Sequence, residues 1–209
     1  MEQKRGAKAG MRKSRVETAA TRHRIVEAAA AEFRRNGIGN TGLSDLMGAA
    51  GLTHGGFYKH FESKEQAVAE ACSHGIREIA ASLEDAIARD SGMPALHAAI
   101  SAYLTTAHRD NPASGCPYAA LGAELSRGSE PVRAVASEGL GQLVKLLAGP
   151  GSESGMEQRR DAMLALSAMI GAMTLARIVS DEKLSSDILQ QMRTHLTAHL
   201  PSSKEAPSS

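Results

Sequence analysis

Apolar positions recur at helical spacing along most of the chain. Ile25, Ala29 and Phe33 form one stripe, which predicts a first helix over 18–36, stopped by Gly37 and Gly39. Leu43, Leu46, Met47 and Ala50 fall at i, i+3, i+4 and i+7, giving a short second helix with one buried face. Gly51 ends it in a tight turn that Leu52 fills. Thr53 stands at the N-cap of a third helix over 54–61, anchored by Phe57 and Phe61. Ser63 and Gln66 have the spacing of a capping box and launch a long helix to about Arg89. Pro94, Pro117 and Pro131 each stand where a helix could begin, which predicts helices over about 93–109, 116–126 and 131–148. A loop over 149–155 precedes two last helices, about 156–180 and 185–200. With no hairpin signal or alternating strand pattern, the expected fold is all-α, about nine helices.

Composition supports this pattern: 42% of residues are hydrophobic, only 3% are aromatic and Trp is absent. Charge changes the picture more. Residues 1–64 carry 12 Lys and Arg against 6 Asp and Glu, whereas the remainder carries 12 against 17. A basic first third on an acidic body points to a polyanion partner for the N-terminal part. The two cysteines, Cys72 and Cys116, make neither a disulfide scaffold nor a zinc spacing. No apolar stretch follows the basic N-terminus, as a secretory signal would require. The most apolar run, Met163 to Val179, contains Ser167, Thr174 and Arg177 and predicts a buried helix rather than a membrane span. A cytoplasmic protein without cofactor or metal is expected.

Residues 41–64, TGLSDLMGAAGLTHGGFYKHFESK, read as two short helices, a tight turn and the start of a third helix. This is a helix-turn-helix, which places its second helix in the DNA major groove. With AAAAEFRRNG before it and FYKHFESKEQ within it, the segment 18–70 resembles the DNA-binding domain of the tetracycline-repressor family of bacterial transcription regulators. The resemblance implies an all-helical homodimer with a variable ligand-binding body. The expected organisation is a mobile basic arm (1–17), the DNA-binding domain (18–70), a helical ligand-binding and dimerisation domain (71–200) and a disordered tail (201–209).

A recognition helix needs a buried anchor, donors for phosphate and side chains that reach base edges. The resemblance assigns phosphate contacts to Thr53, Tyr58, His60 and Lys64. His54 and Lys59 are placed to read bases, with Ser44 in support. Gly55 is usual in this family, whereas Gly56 replaces a side chain. The pair lets backbone approach the DNA and implies few direct base contacts. Lys4, Arg5, Lys8, Arg12, Lys13 and Arg15 of the arm either track the minor groove or add general attraction.

In the body, Leu166, Ile170, Met173 and Arg177, with Ile188, Met192 and Leu196 on the last helix, form stripes expected at a two-fold interface. His97, Tyr103, His108, Cys116, Tyr118 and Met173 are candidate effector-binding residues. Cys116 precedes Pro117 at a helix start, where the helix dipole could lower its pKa and make it a sensor of electrophiles or oxidants. No Ser/His/Asp order, Gly-rich phosphate loop or carboxylate cluster suggests an enzyme. His195 and His199 stand one turn apart but lack a third metal ligand nearby in sequence. The expected function is a repressor that binds a palindromic double-stranded DNA operator and is released by a small-molecule effector. The alternative is an architectural DNA-binding protein without ligand control.

Overall fold

The computed structural model describes residues 3–90, 92–149 and 155–200, with side chains from Val16 onward. The described residues are all-helical: α1 (Gln3–Asn36), α2 (Leu43–Ala49), a 3-10 helix (His54–Lys59), α3 (Lys64–Arg89), α4 (Ala95–Tyr103), α5 (Thr106–Asp110), a 3-10 turn (Pro112–Ser114), α6 (Pro117–Ser126), α7 (Glu130–Ala148), α8 (Met156–Ile178) and α9 (Glu182–His199). Both the all-α class and the helix-turn-helix are as the pattern predicts.

Four boundaries differ from the expectation, each for a local reason. The backbone is helical from Gln3, not from Thr18. The added segment is rich in Lys, Arg and Ala, all good helix formers, but has no apolar face to give a periodic signal. The helix expected over 93–109 is two helices. Leu104 leaves helical geometry, and Thr105 caps α5 by accepting a bond from the His108 N–H at 3.1 Å. Asp181 caps α9 early by accepting from the Leu184 N–H at 2.7 Å. The domain boundary at 70/71 falls inside α3, which runs unbroken through it. The tail, 201–209, and the side chains of the basic arm lie outside the described residues.

At 26 residues, α3 is about 39 Å long and belongs to both halves of the molecule. Near its start, Ala67 packs with Ile25, Val26, Met47, Phe57 and Phe61 in a small core beneath the recognition helix. One turn on, Val68, Ala71 and Cys72 join Phe33 and Leu46 to Leu121 and Leu125 of α6 and Val132 of α7. Further along, Ile79 and Leu83 enter the body core with α4, α7, α8 and α9. The middle cluster therefore seats the DNA-binding unit on the body through continuous apolar contact.

Although α8 is long and apolar enough to cross a membrane by length and composition, it packs against α6, α7 and α9. Ala162, Ala165, Leu166, Met169, Ala172, Met173 and Ala176 form its buried face. The small residues allow its neighbours to approach closely.

Candidate nucleic-acid interface

Beneath the recognition helix, Phe57 and Phe61 stack at 5.2 Å between centroids and are buried, as their spacing predicts. Gly51 adopts φ 71°, the left-handed conformation needed by the turn. The recognition segment itself is a 3-10 helix over His54–Lys59, shorter and tighter than the expected 54–61. Gly55 and Gly56 explain this: with high backbone freedom and no Cβ, they support the α-form poorly. Thr53 occupies the N-cap with extended backbone, but its side chain makes no cap bond.

The sequence candidates divide by exposure. Ser44, Thr53, His54, Gly55, Tyr58 and Lys59 are exposed. Tyr58 is 68% exposed although its ring meets Phe57 edge-on, so its hydroxyl end faces solvent. Gly56 is half-buried above the Met47 side chain. Ser44 Oγ lies 3.2 Å from His54 Nδ1, linking α2 to the recognition helix.

His60 and Lys64 brace the unit from within. Lys64 Nζ donates to the Ile38 carbonyl at 2.9 Å, tying the start of α3 to the loop after α1. The His60 carbonyl accepts from Arg22 Nε at 3.1 Å, and His60 Nδ1 is buried without a partner among the described residues. Arg22, which the sequence pattern does not single out, is the main fastener. Its guanidinium pairs with both Glu70 carboxylate oxygens and lies 4.6 Å from the Phe61 ring centre. The hydrogen bonds that Arg22 donates to Glu70 raise its already high pKa, so this clamp keeps its charge. Ser63 accepts from the Gln66 N–H at 3.1 Å, while the Gln66 side chain returns to the Glu62 N–H at 2.8 Å. This is a capping box displaced by one residue.

Residues 25–71 match the family model described as bacterial regulatory proteins, tetR family. Over nearly its whole length the chain is similar to an uncharacterized HTH-type transcriptional regulator of Mycobacterium tuberculosis (strain ATCC 25618 / H37Rv), Rv0196. The two are 29% identical over 189 residues, covering 86% of this chain and 96% of that protein. The tetR-family match thus falls on the segment that carries the helix-turn-helix. A solved tetR-family regulator from Chloroflexus aurantiacus superposes with a TM-score of 0.70 at 26% identity, covering 88% of this chain and 95% of that one. The probable acrEF/envCD operon repressor of Escherichia coli (strain K12) is 38% identical over 55 residues, covering 26% of this chain and 25% of that protein.

In the body of the chain the six effector candidates do not form one site. Tyr103, His108 and Cys116 do meet. The Cys116 N–H donates to His108 Nε2 at 3.0 Å, so the ring proton sits on Nδ1 and is donated to the Tyr103 carbonyl at 2.8 Å. Burial lowers the His108 pKa, consistent with this neutral ring. Arg177 joins the cluster, donating through Nε and Nη2 to the carbonyls of Arg109 and His108 at 3.1 and 2.8 Å. Its Nη1 and the Tyr103 hydroxyl are buried without partners among the described residues. Met173 is fully buried in the same apolar core. Tyr118 instead donates to the Ala136 carbonyl at 2.5 Å, and His97 Nε2 lies 3.0 Å from the Leu200 carbonyl.

Burial pushes the Cys116 thiol up, against the expectation of a lowered pKa. The N–H groups of Tyr118 and Ala119 favour its thiolate without overcoming desolvation. Two grooves have room for a small molecule. One of about 290 Å³ opens between α5, α8 and α9 beside Arg109, Arg177 and Ser185. Another of about 440 Å³ lies between the DNA-binding unit and α6–α7, beside Lys64, Val68 and Val132.

Of the expected dimer-interface residues, Leu166, Met173 and Leu196 are buried within the protomer, and the partly buried Ile170, Ile188 and Met192 pack against its core. Met156, Met163, Leu164, Leu175 and Ile178 of α8 and Leu184 of α9 are the large apolar residues left exposed there.

Proposed function

We propose that the chain is a cytoplasmic repressor that binds a palindromic operator as a homodimer and is released by a small-molecule effector. The observation that carries the DNA reading is the exposed surface of Thr53, His54, Tyr58 and Lys59 over the buried Phe57–Phe61 anchor. That arrangement presents donors for phosphate and bases on a helix held rigidly from behind. The repressor sense is supported by the similarity to the E. coli operon repressor, which extends over 55 residues.

The dimer reading draws on the exposed face of α8. Leu164, Gly171, Leu175 and Ile178 fall at i, i+7, i+11 and i+14, one stripe along the helix. Ile178 is 73% exposed, and Gly171 has open space where a side chain would stand, so a second helix can approach closely. The effector reading draws on the polar cluster around Arg177 and its adjoining groove. An electrophile or oxidant acting at Cys116 is not favoured, since that thiol is buried and its pKa is raised.

A DNase footprint on the region upstream of its own gene tests the reading. Protection of two half-sites about one helical turn apart, ~34–36 Å, is expected. Lys64→Ala should lower the log–log salt slope of binding by about 0.9, one phosphate contact. Salt-independent binding or a single unpaired site would reject it.

A further inference from the structure

We propose that Ser44 is a positioning residue that holds His54 as a hydrogen-bond donor to guanine, and that this pair sets one base of each half-site. The inference rests on the DNA-binding reading above. Ser44 Oγ and His54 Nδ1 lie 3.2 Å apart, and both residues are exposed. The pair thus spans the turn from α2 to the recognition helix at the surface.

Ser44 is in the first turn of α2, and the carbonyl one turn earlier belongs to Asn40, before the helix. The hydroxyl therefore has no helical carbonyl behind it, and His54 Nδ1 is the partner the structure gives it. When Nδ1 accepts from the hydroxyl, the ring proton sits on Nε2, at the far side of the ring from Ser44. A protonated ring also carries a proton on Nε2, with Nδ1 donating to the serine oxygen instead. In both of these states Nε2 is a donor; the other neutral tautomer, with Nδ1 donating to the serine oxygen, leaves Nε2 an acceptor, and a hydroxyl that donates to Nδ1 excludes it.

A donor in the major groove needs an acceptor on a base edge. Guanine presents two acceptors side by side, N7 and O6, whereas adenine pairs N7 with a donor and thymine sets one acceptor beside a methyl. Gly55 and Gly56 follow with no side chains, so no neighbour competes with His54 at this end of the helix. Without Ser44, the ring turns freely and interchanges donor and acceptor. Discrimination is then lost while phosphate contacts persist.

Operator selection from random DNA with the full chain tests the pair, using wild type, Ser44→Ala, Ser44→Thr and His54→Ala. The expected result is one guanine column per half-site that is lost in Ser44→Ala and His54→Ala and kept in Ser44→Thr. Placing 7-deazaguanine at that column should weaken wild type about three- to tenfold, the worth of one hydrogen bond, and leave His54→Ala unchanged. A guanine column that survives in Ser44→Ala overturns the proposal. So does loss of a different column from the one His54→Ala loses, because Ser44 would then read its own base. If wild type selects no sequence at all, the DNA-binding reading fails rather than the pair.

Discussion

Arg34 brings a charge into the joint between the two halves of the molecule. Its side chain is almost wholly buried, lies against Gly75 and Pro117, donates to the Ala113 carbonyl at 2.7 Å and pairs with Glu78 at 2.8 Å. Removing the partner is worse than removing the charge, because an unpaired buried charge keeps its desolvation cost. Glu78→Ala should therefore destabilise the chain by about 1–3 kcal/mol. Arg34→Met, which retains much of the buried stem, should cost about 1 kcal/mol less. Urea melts of the two variants give the order, and the reverse order would show that Glu78 is a surface residue of no consequence. His108 supplies the second prediction at this scale. Its pKa is lowered by burial, so the unfolded chain takes up a proton first as pH falls through about 6.5. The stability from the neutral ring is fully present above that pH and is lost toward the lowered folded value, by up to about 1.4 kcal/mol per pH unit. Cys116 and Tyr103 beside it are pushed up, away from this window. The stability lost between pH 7 and 5 should shrink in His108→Gln, as read from urea melts at both values.

The recognition helix shows what the sequence makes legible in an element and what it does not. Its place, its turn and its Phe57–Phe61 anchor follow from spacing, since the period of buried residues is set by local geometry. Its 3-10 form and the Arg22 clamp do not. The clamp depends on Glu70, which is 48 residues away in sequence and is brought near only by the packing of α1 on α3. The glycine pair offers a test of the element itself. A Cβ at Gly55 would meet nothing within 4 Å, and its backbone is not in the left-handed region. Gly55→Ala should thus leave stability unchanged or raise it by up to about 1 kcal/mol. Lost DNA affinity in this stable variant, seen by gel shift, would mean that the backbone there approaches the DNA closely. Undiminished affinity would mean that the glycine serves no contact.

For the molecule as a whole, the exposed α8 face is the testable feature. Leu175→Glu combined with Ile178→Glu changes two exposed positions and should leave the fold intact while giving monomers in sedimentation and weak operator binding. A dimer that persists would move the interface elsewhere. Met173→Ala should instead destabilise the protomer by about 2–5 kcal/mol, because Met173 fills its core.

The sequence by itself determined the helices, the turn at Gly51, the buried aromatics and the basic bias of the DNA-binding unit. These depend on neighbours within a few residues or on summed charge, which a linear pattern records. Only the tertiary structure decided which apolar stripe of α8 is spent on the monomer and which is left over. Both Leu166–Met173 and Leu164–Leu175 satisfy helical spacing, and period alone does not tell an inward face from an outward one. It also decided that Cys116 is sealed rather than poised. A helix start favours its thiolate, but burial beneath α4 and α8 costs more, and burial is a property of the whole fold.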